Sequence, residues 1–194
     1  TNRLYAAANN QGAQAARGKW LCPLNSDTEV RPGALDALVE FLAAHPDYGA
    51  ASPRLVYPDG KVQPACKRFP GPWTALTFEN RLAKRWPGRR LQDRYMMRDF
   101  DHLSDRDVPQ PPGAVFCMDR SEFLEMGGLD EELPLYFNDV DMSRRLWRRG
   151  RKIRYLAGPE VMHHEGASTR RNTSSLVRWF RNRNTYYRKH YGWW

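Results

Sequence analysis

Short apolar runs alternate along this chain with amphipathic stretches of helical period, and that alternation restricts the fold more than any other feature. Residues 19–24 (KWLCPL), 50–57 (AASPRLVY), 113–118 (GAVFCM) and 152–156 (KIRYL) are too short for helices and read as extended segments, the first and third as buried strands. Between them, the Ala-rich stretch 5–17 closes at Gly18. Pro32 opens a helix that sets Leu35, Leu38, Val39 and Leu42 on one face before His45-Pro46. Residues 121–126 end at Gly127-Gly128, 139–149 are closed by Gly150, and 174–191 place Leu176, Phe180, Tyr187 and Tyr191 on one stripe of a basic helix. Residues 68–112 hold eight prolines or glycines without sustained periodicity and read as a long, partly helical surface excursion. The expectation is an α/β fold in a single domain over residues 1–194, with 174–194 as a basic C-terminal helix.

The 194 residues suffice for one core. Lys and Arg number 31 against 22 Asp and Glu, a net charge of +9 that favours an anionic partner: nucleic acid, a phosphate-bearing ligand or an acidic membrane surface. No apolar run approaches the ~20 residues of a membrane span. The three cysteines, Cys22, Cys66 and Cys117, are odd in number and widely spaced, so they read as reduced packing residues of a cytosolic protein, not as a disulfide framework or zinc site. The sequence starts at Thr1 and runs at once into what reads as the middle of an α/β unit, so an upstream portion is expected.

Four elements are candidates for chemistry, Gly113-Ala114 and three polar constellations. Asn25-Ser26-Asp27-Thr28 follows the first short strand, where α/β folds collect ligands, although Asp-Thr after a strand also caps helices. Asn138-Asp139-Val140-Asp141 opens a helix. Its two carboxylates suit the helix dipole, and being two residues apart they cannot both point into one site. His163-His164 ends a run that, if extended, directs the two imidazoles to opposite faces. A divalent cation bridging a nucleotide diphosphate wants hard oxygen ligands and tolerates an imidazole, and a separate carboxylate can serve as general base.

Five blocks in order, LNSDTEVRPGALDALVEFLAAHP, ASPRLVYPDGKVQPACKRFP, RYMMRDFDH, GAVFCMDRSEFLEMGGLDEELPLYFNDVDMSRRLWRRG and VMHHEGAS, resemble an inverting family 2 glycosyltransferase of the rhamnosyltransferase-like subgroup. The resemblance spans nearly the whole chain. It implies the GT-A fold, a Rossmann-like nucleotide-diphospho-sugar transferase sandwich, here without the N-terminal βα unit that holds the nucleoside. It implies a divalent cation, Mg2+ or Mn2+, held by Asp27 and His163, with Asp139 as catalytic base. Asn10, Gly12, Asn25 and Asp27 match segments near the nucleotide donor. Gly113, Ala114, Asn138 and Asp141 fall in segments that line the sugar and acceptor pocket. Arg170 and Arg171 are candidates to fold over the diphosphate. The pattern departs from the family where Asn25 replaces the first Asp of Asp-x-Asp, where Asn138 replaces the Glu beside the base, and where Val-Pro-Gln-Pro-Pro precedes Gly113.

The function so implied is metal-dependent transfer of a sugar, rhamnose by subgroup, from a nucleotide-sugar donor to a saccharide or lipid-linked saccharide in cell-surface polysaccharide synthesis, in the cytoplasm or peripherally on the inner face of its membrane. Two other readings stand beside it. A nucleic-acid-binding module explains the charge but leaves the carboxylate–histidine set without a role. A catalytically inactive acceptor-binding fragment would keep the fold alone. The aromatic basic tail has two readings, a packing helix and a contact with anionic lipid. A missing βα unit would leave sheet edge open to a second copy of the chain.

Overall fold

The computed structural model describes residues 4–78, 88–164 and 173–192. In chain order, α1 (Leu4–Ala15) leads into the two-residue strand β1 (Trp20–Leu21) and then β2 (Thr28–Val30). Helix α2 (Ala34–Ala44) precedes β3 (Tyr48–Val56), and the excursion that follows carries α3 (Pro72–Phe78), α4 (Gly88–Tyr95) and β4 (Arg106–Asp107). Strand β5 (Met118–Asp119) runs directly into α5 (Arg120–Glu125), and α6 (Asn138–Arg148), β6 (Lys152–His163) and α7 (Thr173–Tyr191) complete the chain.

Strand β6 is the backbone of the sheet. It pairs in parallel with all of β3, while its other edge is shared by β4, antiparallel near Arg154 and Tyr155, and by β2, antiparallel from Val161 to His163. The sequence signal for this strand stops at Leu156, because Gly158-Pro159 interrupts the apolar run. The structure absorbs that dipeptide in a register shift, pairing Leu156 with Pro53 and Glu160 with Arg54, and continues to His163. Beyond β3, Ala51 exchanges both backbone hydrogen bonds with Cys117, so the β1–β5 pair docks alongside and widens the sheet.

Alternation along the strands builds three layers. Ala50, Met118, Ile153 and Tyr155 face one side, where Ala6, Phe123 and Leu146 cover them; Ala51, Cys117 and Leu156 face the other, beneath Leu38 and Leu42 of α2. Gly49 is required by this packing, since a Cβ there would stand 2.6 Å from Leu146 Cδ2 and 2.9 Å from Arg151 Cβ. Two expected strands are shorter than their apolar runs. In 19–24 only Trp20 and Leu21 pair as strand, because Pro23 has no N–H, and Leu24 makes only an isolated bridge to Val115. In 113–118, only Met118 belongs to a regular strand, although Val115 to Met118 are all buried. The free cysteines are packing residues: Cys66 and Cys117 are buried, and burial pushes the Cys66 thiol up to about 12.

Helix α7 corrects its expected stripe. Leu176 is exposed, and the buried face carries Asn182, Tyr186, Tyr187 and His190. Tyr186 and Tyr187 cluster with Leu133 and Val140. His190 Nε2 meets the buried Asp141 carboxylate at 2.7 Å, Lys189 Nζ lies 2.8 Å from it and Arg145 Nε 2.8 Å. The C-terminal half of the tail is therefore a packing helix that closes the domain. No described helix is long and apolar enough to cross a membrane.

Burial pushes the Asp141 carboxyl up, but His190, Lys189 and Arg145 outweigh it and hold it at about 2. A depressed folded-state pKa means stability that is fully present above the ordinary carboxylate value and is lost as pH falls through the folded one. The unfolding midpoint of the protein is expected to drop between about pH 4 and pH 2. In Asp141→Asn that step is missing from the variant's curve and so appears in the difference between the two, and at neutral pH the variant is less stable by about 3–5 kcal/mol, the cost of breaking a buried ion-pair cluster by removing its carboxylate. Thermal unfolding followed by circular dichroism across this range checks both.

Candidate active site

The segment Asn25-Ser26-Asp27 is suspended between two parts of the sheet. Asn25 N–H donates to Ala114 O at 2.9 Å, His164 N–H donates to Asp27 O at 2.9 Å, and Thr28 Oγ1 donates to Asn25 O at 2.7 Å, closing the turn. The Thr28–His163 pair of the β2–β6 ladder then brings Asp27 against His163, with Oδ1 and Nε2 3.5 Å apart and both side chains largely buried. Asp27 caps no helix; the N-cap of α2 is Gly33. His163 Nδ1 is held at 3.0 Å by Gln63 Oε1, which leaves Nε2 as the nitrogen facing Asp27. Gln63 arrives on the hairpin after β3, turned at Pro58-Asp59-Gly60, with its N–H donating to Leu55 O at 2.8 Å. His164 points the other way, to exposed Glu29 at 2.7 Å.

The donor set fits a divalent cation as far as it goes. One carboxylate and one imidazole oriented by a hydrogen bond on its far nitrogen are suitable ligands. Among the described residues, however, no group of three or more His, Cys, Asp or Glu side chains converges to hold a metal ion.

Asp139 enters from the start of α6. Phe137, at a positive φ of 65°, ends the preceding segment in a left-handed conformation that turns Asn138 and Asp139 inward; its ring is held by Trp179 and Tyr186. Asn138 Nδ2 donates to Leu133 O at 3.2 Å, fixing this turn. The Asp139 carboxylate lies directly on Gly113: a Cβ there would collide with Oδ2 and stand 2.9 Å from Cγ. Burial pushes the Asp139 carboxyl above the ordinary carboxylate range. The Val140 N–H, the Lys67 ammonium and a hydrogen bond from Gln110 pull downward without cancelling it. Tyr5 and Tyr95 are pushed up as well, first by burial and then by the nearby Asp139 charge.

Asn25, Ser26, Gly113, Ala114, Asn138, Asp139 and His163 line one cleft of about 1100 Å³, and Asp27 reaches it through His163. Among the described residues that line it, Asp139 is the sole carboxylate. Three expected site residues lie elsewhere. Asp141 turns away from the cleft into the α7 anchor, because two helical steps rotate a side chain by about 200°. Asn10 grips the loop after α5 instead of a ligand: Oδ1 accepts from Leu129 N at 2.8 Å and Nδ2 donates to Leu129 O at 2.8 Å, under a Gly128 too close for any Cβ. Gly12 sits on the exposed side of α1. Arg170 and Arg171 lie outside the described residues. The cleft also contains Tyr5, Lys67, Tyr95, Gln110, Trp179 and Arg183, which no local sequence pattern singles out.

The chain matches the family described as "Glycosyltransferase like family 2" over residues 5–182. The N-acetylglucosaminyl-diphospho-decaprenol L-rhamnosyltransferase of Mycobacterium tuberculosis is 31% identical over 182 residues, covering 90% of this chain and 57% of that protein. O-antigen biosynthesis protein RfbC of Myxococcus xanthus is 33% identical over 169 residues, 86% of this chain and 12% of that protein. A crystal structure of GalNAc-T7 with UDP, GalNAc and Mn2+ superposes with a TM-score of 0.58 at 18% identity, over 95% of this chain and 36% of that one, and places the sheet and helices in the GT-A fold. The chain thus spans a little over half the length of the rhamnosyltransferase.

Gly113→Ala is expected to destabilise the protein by about 1–3 kcal/mol, because the new methyl displaces the Asp139 carboxylate. In an Asp139→Ala background the same substitution is expected to cost less, since the colliding atoms are gone. A double-mutant cycle by urea denaturation reads the difference.

Proposed function

The chain belongs to glycosyltransferase-like family 2, and we propose that it forms the catalytic part of an inverting, divalent-cation-dependent enzyme that moves a sugar from a nucleotide-sugar donor to a saccharide or lipid-linked saccharide acceptor. One observation carries this reading: a carboxylate whose proton affinity is raised stands in the same cleft as a histidine paired with a second, separate carboxylate.

Asp27 and His163 are the residues that would hold the cation, and Gln63 fixes the imidazole edge that faces it. A cation so held stabilises charge on the departing diphosphate as a Lewis acid. Asn25 and Ser26 line the cleft next to that pair, on the side where the diphosphate would lie. Gly113 and Ala114 supply a wall without bulk, so the sugar ring can approach Asp139 closely. Asp139 accepts the proton of the acceptor hydroxyl as its oxygen attacks the anomeric carbon. A carboxyl raised by burial is a better proton acceptor than a solvated one. Inversion needs one base and no nucleophile opposite it, and the described lining of the cleft contains one carboxylate.

A lipid-linked acceptor is supported by the M. tuberculosis relative, whose name specifies a decaprenol-linked saccharide and rhamnose. It is supported also by α7, whose N-terminal half exposes Leu176 and Val177 beside Arg178 and Arg181. Envelope polysaccharide synthesis at the cytoplasmic face of the membrane is the corresponding setting.

In Asp139→Asn, transfer is expected to fall by about 10²- to 10⁴-fold while cation-dependent nucleotide binding stays near that of the parent. His163→Ala is expected to do the converse first, removing the cation dependence of binding. Calorimetry with nucleotide diphosphate in the presence and absence of Mn2+, alongside product analysis with a panel of nucleotide sugars, measures both. Equal loss of nucleotide binding in Asp139→Asn would overturn its assignment as base.

A further inference from the structure

Two segments far apart in sequence meet beside Asp139 and are not part of any motif. Lys67 N–H donates to Gln110 O at 3.0 Å and Gln110 N–H donates to Lys67 O at 3.1 Å, an isolated antiparallel bridge between the strand-like stretch after Cys66 and the Pro-rich approach to Gly113. Residues that exchange both hydrogen bonds across such a bridge stand directly opposite each other and send their side chains to the same face. Here that face is the cleft, which Lys67, Gln110 and Asp139 line together. Gln110 is 5% exposed, and its side-chain amide favours the charged form of the Asp139 carboxyl. The Lys67 ammonium also favours the charged Asp139 carboxylate, through its charge.

We propose that Lys67 and Gln110 are positioning residues that, as one bridged unit, hold the Asp139 carboxylate in a single orientation toward the cleft. The kinetic consequence rests on Asp139 being the base; the positioning does not. Gly113 packs backbone against the carboxylate, so one segment supplies both Gln110 and this floor, while Lys67 comes from the segment bridged to it. The titratable groups facing it are Tyr5 from α1, Tyr95 from α4 and Lys67; His163 and Arg183 line the same cleft. Burial holds both tyrosine hydroxyls protonated through the working range, which leaves Lys67 as the cation that favours the charged carboxylate. The pair thereby limits how far burial raises Asp139.

The test is a carbon-13 NMR titration of the full chain labelled at aspartate carboxyls, with Asp139→Asn used to assign the signal. In Gln110→Ala and in Lys67→Met the Asp139 carboxyl is expected to titrate at higher pH than in the parent, and in Lys67→Arg at the parent's pH. The acid limb of the transfer rate moves the same way, and kcat near neutrality falls about tenfold with the donor KM unchanged. Lys67→Met alters a half-buried side chain, so it keeps the test decisive should the buried Gln110→Ala fail to fold. A shifted titration in a protein with no transfer activity supports the positioning and removes Asp139 as base. An unshifted titration in folded variants overturns the positioning, whatever the activity.

Discussion

The arrangement of this molecule depends on strand β6 being paired along both edges. A strand buried on two faces cannot leave backbone groups unsatisfied, so whatever segments lie beside it are held in strict register. On one edge β3 runs parallel for its whole length; on the other, β2 binds the last three residues antiparallel. That last ladder decides the site. It sets Thr28 opposite His163, and with it Asp27 against the imidazole, while the Asn25–Ala114 hydrogen bond ties the same turn to the segment that carries Gly113. One slipped residue in β2 would turn these side chains to the other face of the sheet.

The two carboxylates of α6 show how one short motif divides between chemistry and architecture. Burial acts on both, but Asp141 meets Lys189, Arg145 and His190 and drops to about 2, while Lys67 and Gln110 only partly offset the rise of Asp139. Burial acts in the same direction on both; the partners decide the outcome. The Asp141 anchor also bears on the cleft, because it fixes α7, which contributes Trp179, Arg183 and Tyr187 to the wall opposite the sheet. A helix that docks through a buried salt-bridge cluster is held less by its amphipathic stripe than by its last turn, which explains why Leu176 is exposed despite lying on the apolar stripe of the sequence.

A position that matches a family motif need not touch a ligand. Asn10 matches the Asn-x-Gly block, yet both ends of its amide are taken by Leu129 backbone groups, so it locks α1 to the loop after α5. Its neighbours Tyr5, Ala8 and Asn9 are the α1 residues that reach the cleft.

Local pattern alone determined the α/β class, the positions of α1, α2, α5, α6 and α7, the opposed directions of His163 and His164, and the rule that Asp139 and Asp141 cannot share a site. Each of these depends on helix or strand periodicity, a property of neighbouring residues. Tertiary structure decided the rest. The full extent of β6 was hidden by Gly158-Pro159, which only a partner strand with a matching register shift can accommodate. Gln63 and His163 are 100 residues apart, and Lys67 meets Gln110 across a single bridge, so no window of sequence contains either pair. Which polar residue orients His163 and which stand beside Asp139 are fixed by backbone register between distant segments, and register is set by what the whole sheet buries.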